Sequence, residues 1–218
     1  MNREYEYWQI EPVLAGETVF LLAGGPSLDQ ATVDKLRGRR AITINSSCHK
    51  ALAAGLDDGP LFFTDNNWFE DHEAIVRAWR GPVVTLSRKA KRELPDLVKR
   101  VEGEHRPDFT RGGRTLRQGR SSGQTAISLA IAMGARRLVL LGYDMRPVGG
   151  RTHHHDDYKT GGDPEIYARE FLPAFAGWNA AAHAAGVRVL NATPGSALTE
   201  FPFADSAALL AADERRAA

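Results

Sequence analysis

The chain has almost no cysteine, no long apolar run and no excess of either charge. With Cys48 as the one cysteine among 218 residues, no intramolecular disulfide can form and the fold must rest on its core. The same scarcity fits a reducing setting, so a cytoplasmic location is expected, with Cys48 as a small core-facing thiol. No apolar stretch approaches the ~20 residues of a membrane span, and Met1 to Trp8 is polar and aromatic where a signal peptide would be apolar. The expectation is a soluble protein with no membrane partner and no export signal. Lys and Arg total 28 against 27 Asp and Glu, which offers nucleic acid no global attraction; any basic surface must be local.

What is present is apolar content, 43%, enough to bury a continuous core, and it falls in short runs that alternate with helical patterns. Residues 1–16 read as an irregular arm and 17–218 as one domain. Val19 to Ala23 is continuously apolar, as in a strand buried on both faces of a parallel sheet. Gly24-Gly25-Pro26-Ser27 turns the chain into a helix ending near Gly38, with Ser27 as the cap and Asp29 in the first turn. Further strands are expected at 41–45, 61–64, 82–87, 137–142 and 187–191, with a helix carrying Trp68, Phe69, Ile75, Val76 and Trp79 after the third. The strongest helix runs from Ser121 to Met133, capped by Ser121 or Ser122. A longer one spans Pro164 to Ala185 with a bend at Pro173, and an alanine-rich helix comes last. The alternation predicts an α/β, Rossmann-like fold, a mostly parallel sheet with helices on both faces.

Two stretches stand apart. Residues 89–120 are charged and include Gly112, Gly113, Gly119, Arg106, Arg111, Arg114, Arg117 and Arg120. They read as a mobile flap, either a solvated loop or an arginine-lined lid over a phosphate or carboxylate. Residues 147–164 form a loop in which Gly149, Gly150, Gly161 and Gly162 flank a run from Arg151 to Tyr158.

In open α/β sheets ligands lie at the carboxyl ends of the strands, and Asn45, Asp65 and Asn66 sit there. The Gly24–Ser27 turn satisfies neither G-x-x-x-x-G-K-[ST] nor G-x-G-x-x-G. It can still admit a nucleotide's phosphates or sugar at a helix N-terminus, and Ser121-Ser122-Gly123 makes a second such turn. Asp144, leaving the fifth strand, either caps a turn or touches ligand. Ser196 and Thr199 read as local caps. His153, His154, His155, Asp156 and Asp157 are the densest titratable cluster. Alternation sets His153, His155 and Asp157 on one side of an extended segment, which suits a divalent metal, a general base or a polar loop alike.

Taken together, Gly24-Gly25-Pro26-Ser27-Leu28, a strand ending in Asn45, Ser121-Ser122-Gly123 opening a helix, Leu140 to Asp144, a histidine loop and Asn191 to Thr199 resemble one superfamily. It holds the bacterial sialyltransferases of glycosyltransferase family 42, flagellin-modifying nonulosonate transferases, archaeal 6-hydroxymethyl-dihydropterin pyrophosphokinases, and small phage and prophage proteins. The resemblance spans Val19 to Phe203. It implies a nucleotide-dependent transferase, with a CMP-sugar-like donor and an acceptor of unspecified kind as partners. Carried over residue by residue, it implies Gly24, Gly25, Pro26, Ser27, Asn45, Asn66, Ser122 and Gly123 as the nucleotide site. Asp65, Ser121 and Asp144 join them by position. It implies His153 or His155 as the base that deprotonates the acceptor hydroxyl, with Asp157 beside them and no metal required. Where those enzymes carry tyrosines after a Gly-x-Asp turn, this chain has Met145 and Arg146, which leaves Arg146 or Arg151 to meet the donor phosphate. Gly24 stands where they carry asparagine. The pyrophosphokinases imply instead a divalent metal, for which His153, His155 and Asp157 are the candidate ligands. A non-catalytic nucleotide-binding phage accessory protein is a third reading, and a homo-oligomer stays open.

Overall fold

β1 (Thr18–Leu22) is the strand on which the two halves of the sheet meet. Its residues alternate between faces: Val19 and Leu21 enter one apolar cluster with Ile42, Phe62 and Leu140, while Phe20 and Leu22 enter another with Leu61, Phe63 and Val139. Both faces being covered explains why the run is apolar without interruption. The computed structural model describes residues 6–157, 163 and 165–217. Met1 to Tyr5, and Tyr158, Gly161, Gly162 and Pro164 of the histidine loop, lie outside them.

On one side of β1 the chain runs through α1 (Gln30–Asp34), β2 (Arg40–Ile44), a 3-10 turn (Asn45–Ser47), α2 (Cys48–Ala54), β3 (Leu61–Phe63), α3 (Asn66–Ala78), β4 (Val83–Thr85), α4 (Arg88–Glu93) and β5 (Val98–Arg100). After the short pair β6 (Glu102–Glu104) and β7 (Thr115–Arg117) it crosses by α5 (Ser122–Ala132) to β8 (Arg137–Leu141), on the other side of β1. A π-helical turn (Tyr167–Phe171), α6 (Leu172–Ala174) and α7 (Trp178–Ala184) lead to β9 (Arg188–Asn191), and α8 (Ser206–Ala217) follows. The order β5-β4-β3-β2-β1-β8-β9, parallel throughout, is the expected α/β, Rossmann-like sheet. Its direction of progress reverses between β1 and β8, and such a switch point opens a crevice at the strands' carboxyl ends. Among the described residues no helix is long and apolar enough to cross a membrane.

Several expectations are corrected. Ser27 does not cap α1. Asp29 does, its carboxylate accepting the Thr32 N–H at 2.7 Å, because Pro26 and Ser27 are spent on a turn closed by Leu28 N–H to the Gly25 carbonyl. That hydrogen bond holds the Asp29 carboxyl below its ordinary value. Its stabilisation is therefore present above the unfolded aspartate value near pH ~4 and lost as pH falls through the lowered one. Asp29→Ala is expected to cost about 1 kcal/mol in denaturant unfolding at pH 7, with the difference from wild type shrinking in acid.

Residues 89–120 are packed rather than a flap. Leu94, Val98, Val101, Phe109 and Leu116 are buried. Arg111 donates to the Gly134 and Ala185 carbonyls, Arg106 to Thr110 and Thr115, and Arg117 lies over the Trp178 and Phe109 rings. The segment's apolar residues pack inward, and Arg106, Arg111 and Arg117 are held by carbonyls, hydroxyls and aromatic faces, while Arg92, Arg114 and Arg120 are exposed. The described part of the Pro164–Ala185 helix passes from a π-helical turn into α6 just before Pro173 and is broken at Gly177, whose φ of 76° is a left-handed conformation that ends one helical segment before the next begins. The described part of the N-terminal arm is irregular but pinned, through Trp8 N–H to Arg100 O, Ile10 N–H to Gly113 O and Leu14 N–H to Met133 O.

Candidate functional site

A cleft of about 910 Å³ lies over the carboxyl ends of β1 to β4, at the switch point. Each wall has a local cause. α5 is buried at every residue except Gly123, so it sits hard against the sheet and aims its first turn into the cleft. Ser121 caps it by accepting the Gln124 N–H at 3.1 Å, as one of the two expected caps. The Tyr143 hydroxyl, leaving β8, donates to the Gly123 carbonyl at 2.9 Å and fixes the turn. Ser122 Oγ lies 2.6 Å from Thr64 Oγ1 and donates to Asp65 at 3.3 Å, which joins α5 to the end of β3. Asn66 accepts from Ser87 Oγ at 2.6 Å across to the end of β4. These hydroxyl, amide and carboxylate groups make a polar floor of the kind that takes sugar hydroxyls. Arg88, Arg100 and Arg120 also line the cleft, Arg88 and Arg120 exposed and Arg100 buried over the Tyr7 ring.

Two non-glycine residues among those described have a left-handed backbone, Asn45 (φ 49°) and Met145 (φ 51°), and both line this cleft. Strained backbone of this kind gathers at functional sites.

Gly24, Gly25, Asn45, Asp65, Asn66, Ser121, Ser122, Gly123, Asp144, His153 and His155 all line the cleft. Pro26, Ser27, Arg146 and Asp157 are not part of its lining. Pro26 is a turn former. Ser27 donates to Asp144 through its backbone N–H at 3.3 Å and its hydroxyl at 2.9 Å. Arg146 donates to the Gly195 carbonyl at 2.7 Å, held away from the cleft by that loop, and Arg151 pairs with Asp156 at the surface. Neither arginine is placed to meet a donor phosphate. Asp144 is 2% exposed; burial raises its carboxyl above the ordinary range, offset in part by the Ser27 bonds. It braces the turn rather than reaching out to ligand. Asn191 and Thr193 tie the Ser196 loop to β8, and Ser196 caps locally by donating to the Tyr143 carbonyl.

The glycine turn, besides lining the cleft, is closely approached by protein groups. A Cβ on Gly25 would stand 2.0 Å from Asp144 Oδ2 and 2.3 Å from the Gly142 carbonyl oxygen. A Cβ on Gly24 would stand 3.2 Å from His155 Nε2 and 3.3 Å from His153 Cδ2. The histidine loop itself is fastened here by His154 N–H to the Gly24 carbonyl at 3.0 Å. The two glycines thus make room for protein groups, and the turn is the seat of the histidines.

Burial holds all three histidines below the ordinary imidazole value, His154 at about 4 with the Lys50 charge adding to the effect, so they are neutral at pH 7. His155 Nδ1 accepts the Asp157 backbone N–H at 3.4 Å, with Asp157 Oδ2 3.5 Å away, and its Nε2 faces the Gly24 turn. Burial alone would raise the Asp157 carboxyl, but bonds from Ser46 and His72 and the nearby His155 and His49 rings bring it below its ordinary value. His49, from α2, and His72, from α3, are partners that the sequence did not single out. Each is an isolated histidine in its own stretch, and only the topology brings them to Asp157. Cys48 is fully buried and burial pushes its thiol up to about 12, leaving it an inert core group. No protein-family profile and no curated protein matches the chain.

Proposed function

We propose that the chain is a nucleotide-dependent transferase, a glycosyltransferase that takes a CMP-sugar-like donor and uses His155 as general base. The observation that carries this reading is one cleft at the β1/β8 switch point whose floor is the α5 N-terminus with Thr64, Asp65 and Asn66, and whose opposite wall holds His153 and His155. The floor suits a ribose and an anionic group, since helix N–H groups and small polar side chains bind both. The resemblance to the family 42 sialyltransferases points the same way.

In this mechanism the nucleotide lies along Ser121 to Gly123, with Asn45 and Asn66 beside it. His155 Nε2 takes the proton of the acceptor hydroxyl. The acceptor oxygen attacks the anomeric carbon, the bond from that carbon to the phosphate oxygen breaks, and the nucleoside monophosphate leaves with the electron pair. His155 is favoured over His153 because the Asp157 carboxylate lies 3.5 Å from its ring, a negative charge that favours the imidazolium formed when the proton is taken. Stabilising the departing phosphate falls to the exposed Arg120 and Arg88 of the lining, together with the α5 N-terminus.

A thermal-shift screen against CMP, UDP, GDP, ATP and their sugar conjugates tests the reading. Binding at 100 times the dissociation constant adds about 2.7 kcal/mol, or a rise of about 5–11 °C for a chain of this size. A cytidine compound is expected to give the largest rise. Arg120→Glu, a charge reversal at an exposed position, is expected to leave the unliganded melting temperature within about 1 °C and weaken nucleotide binding about tenfold, about 1.4 kcal/mol. No rise with any nucleotide would overturn the proposal.

A further inference from the structure

We propose that His49, His72 and Asp157 hold one divalent transition-metal ion, zinc by preference, which ties the histidine loop to α2 and α3. The site neither rests on the transfer reading nor coincides with the ligand set expected from the loop's own spacing. It replaces His153 and His155 by two histidines from elsewhere in the chain.

The geometry is that of ligands around a common centre. His72 Nε2 lies 3.1 Å and His49 Nε2 3.3 Å from Asp157 Oδ2, and the ligand atoms of the three residues all lie within 4.8 Å of one another. Zinc–nitrogen and zinc–oxygen bonds of about 2.0–2.2 Å set tetrahedral ligands about 3.4 Å apart. The donor set of two imidazoles and a carboxylate suits zinc and its neighbours, whereas calcium and magnesium favour oxygen alone.

The hydrogen bonding of His72 leaves one ring nitrogen for the shared oxygen. His72 Nδ1 is 2.8 Å from the Trp68 carbonyl, which can only accept, so Nδ1 carries the ring proton. Nε2 is then the ring nitrogen left to face Asp157 Oδ2. His49 Nε2 is aimed at the same oxygen. The two Nε2 atoms thus share one carboxylate oxygen, each at about the spacing of neighbouring ligands on one ion. The outer partners needed to hold such ligands are also in place. The Trp68 carbonyl fixes His72, whose ring stacks on the Trp68 indole at 4.5 Å. Ser46 bonds to the Asp157 carboxylate while accepting from Trp68 Nε1 at 2.9 Å. With its side chain 47% exposed, His49 gives an ion a way in from solvent, while His72 is 7% exposed.

None of the three residues lines the cleft, so the ion's work is positioning. Asp157 is two residues beyond His155, and fixing it to α2 and α3 keeps His155 over Gly24.

The test uses the full chain after EDTA treatment and gel filtration, titrated with cobalt(II) as a spectroscopic probe and then with zinc as competitor. The expected result is one cobalt per chain with the visible bands of a four- or five-coordinate nitrogen–oxygen site, displaced by one equivalent of zinc. His49→Gln, at an exposed position where folding is safe, and Asp157→Asn are each expected to weaken binding by about 100-fold, the upper end of what even outer partners cost. His153→Ala and His154→Ala are expected to leave it unchanged. Failure to bind cobalt or zinc stoichiometrically at micromolar concentration would overturn the proposal. So would binding that survives His49→Gln and is lost in His153→Ala, which would return the ligands to the loop itself. The titration contains no nucleotide, so its failure and the failure of the transfer reading are separate results.

Discussion

A chain carrying Gly25→Ala is expected to melt about 8–16 °C below wild type. The added Cβ would sit 2.0 Å from Asp144 Oδ2 and 2.3 Å from the Gly142 carbonyl oxygen. Neither neighbour can retreat cheaply. The Asp144 carboxylate is buried and holds the Ser27 N–H and hydroxyl. The Gly142 carbonyl accepts the Gly25 N–H at 2.9 Å, and Gly142 is itself held at φ 72° with a Cβ there 2.6 Å from the Ala23 carbonyl oxygen. Relief requires the ends of β1 and β8 to separate. Forcing a methyl into a packed site costs about 1–3 kcal/mol, and more when backbone must move. Loss of the bonds to a buried carboxylate brings the total to about 4 kcal/mol. For a chain of this size each kcal/mol moves the melting temperature about 2–4 °C. Adding Asp144→Ala is expected to restore only part of the loss, because the Gly142 carbonyl remains. Full recovery in the double variant would place the whole clash on the carboxylate. Gly24→Ala should behave differently: its close neighbours are the ends of two histidine side chains, so stability falls by less than about 1.5 kcal/mol while the histidines are displaced from the cleft.

Replacing His155 by alanine is expected to lower turnover of the donor by about 10²–10⁴-fold, the usual worth of a general base. The chain should stay folded, since the ring's neighbours are the other loop histidines, Asp157 and the Gly24 turn rather than the apolar core. Donor affinity should change little, because the nucleotide lies on the α5 side of the cleft. His153→Ala is the matched control. It removes a ring from the same wall, with Nδ1 bonded to Thr152 rather than facing a carboxylate, and should cost less than tenfold. Larger loss in His153→Ala than in His155→Ala would exchange their roles. Equal and full activity in both would remove the base from the loop altogether.

The strands of the sheet were legible because each is buried on both faces, so its residues are apolar whatever the register. Val19 to Leu22 shows this, with Phe20 and Leu22 on one face and Val19 and Leu21 on the other. β5, β6 and β7, no shorter than β3 and β4, escaped notice because each carries charged residues, Lys99, Arg100, Glu102, Glu104 or Arg117, among few apolar groups. Polar groups at strand ends, such as Asn45 and Asn66, could be placed in the crevice from topology alone, since every strand of a parallel sheet ends on the same side. What a glycine admits is different in kind. Gly24 and Gly25 announce a close approach, and a nucleotide was the simplest guest to expect; the actual neighbours are His155 and Asp144, more than a hundred residues away. Separation in sequence also hid His49 and His72, the latter 85 residues from Asp157. One histidine in α2 and one on the buried side of α3 carry no local mark of a shared carboxylate.

Release of nucleotide from an activated sugar tests the central claim most directly. Purified chain is incubated with CMP-, UDP- and GDP-sugars, and free nucleotide is followed by chromatography for wild type and His155→Ala side by side. The account predicts release of CMP by the wild-type chain, at least about 100-fold slower in His155→Ala with donor affinity retained. Release from no donor, or release at the same rate in both chains, would contradict it.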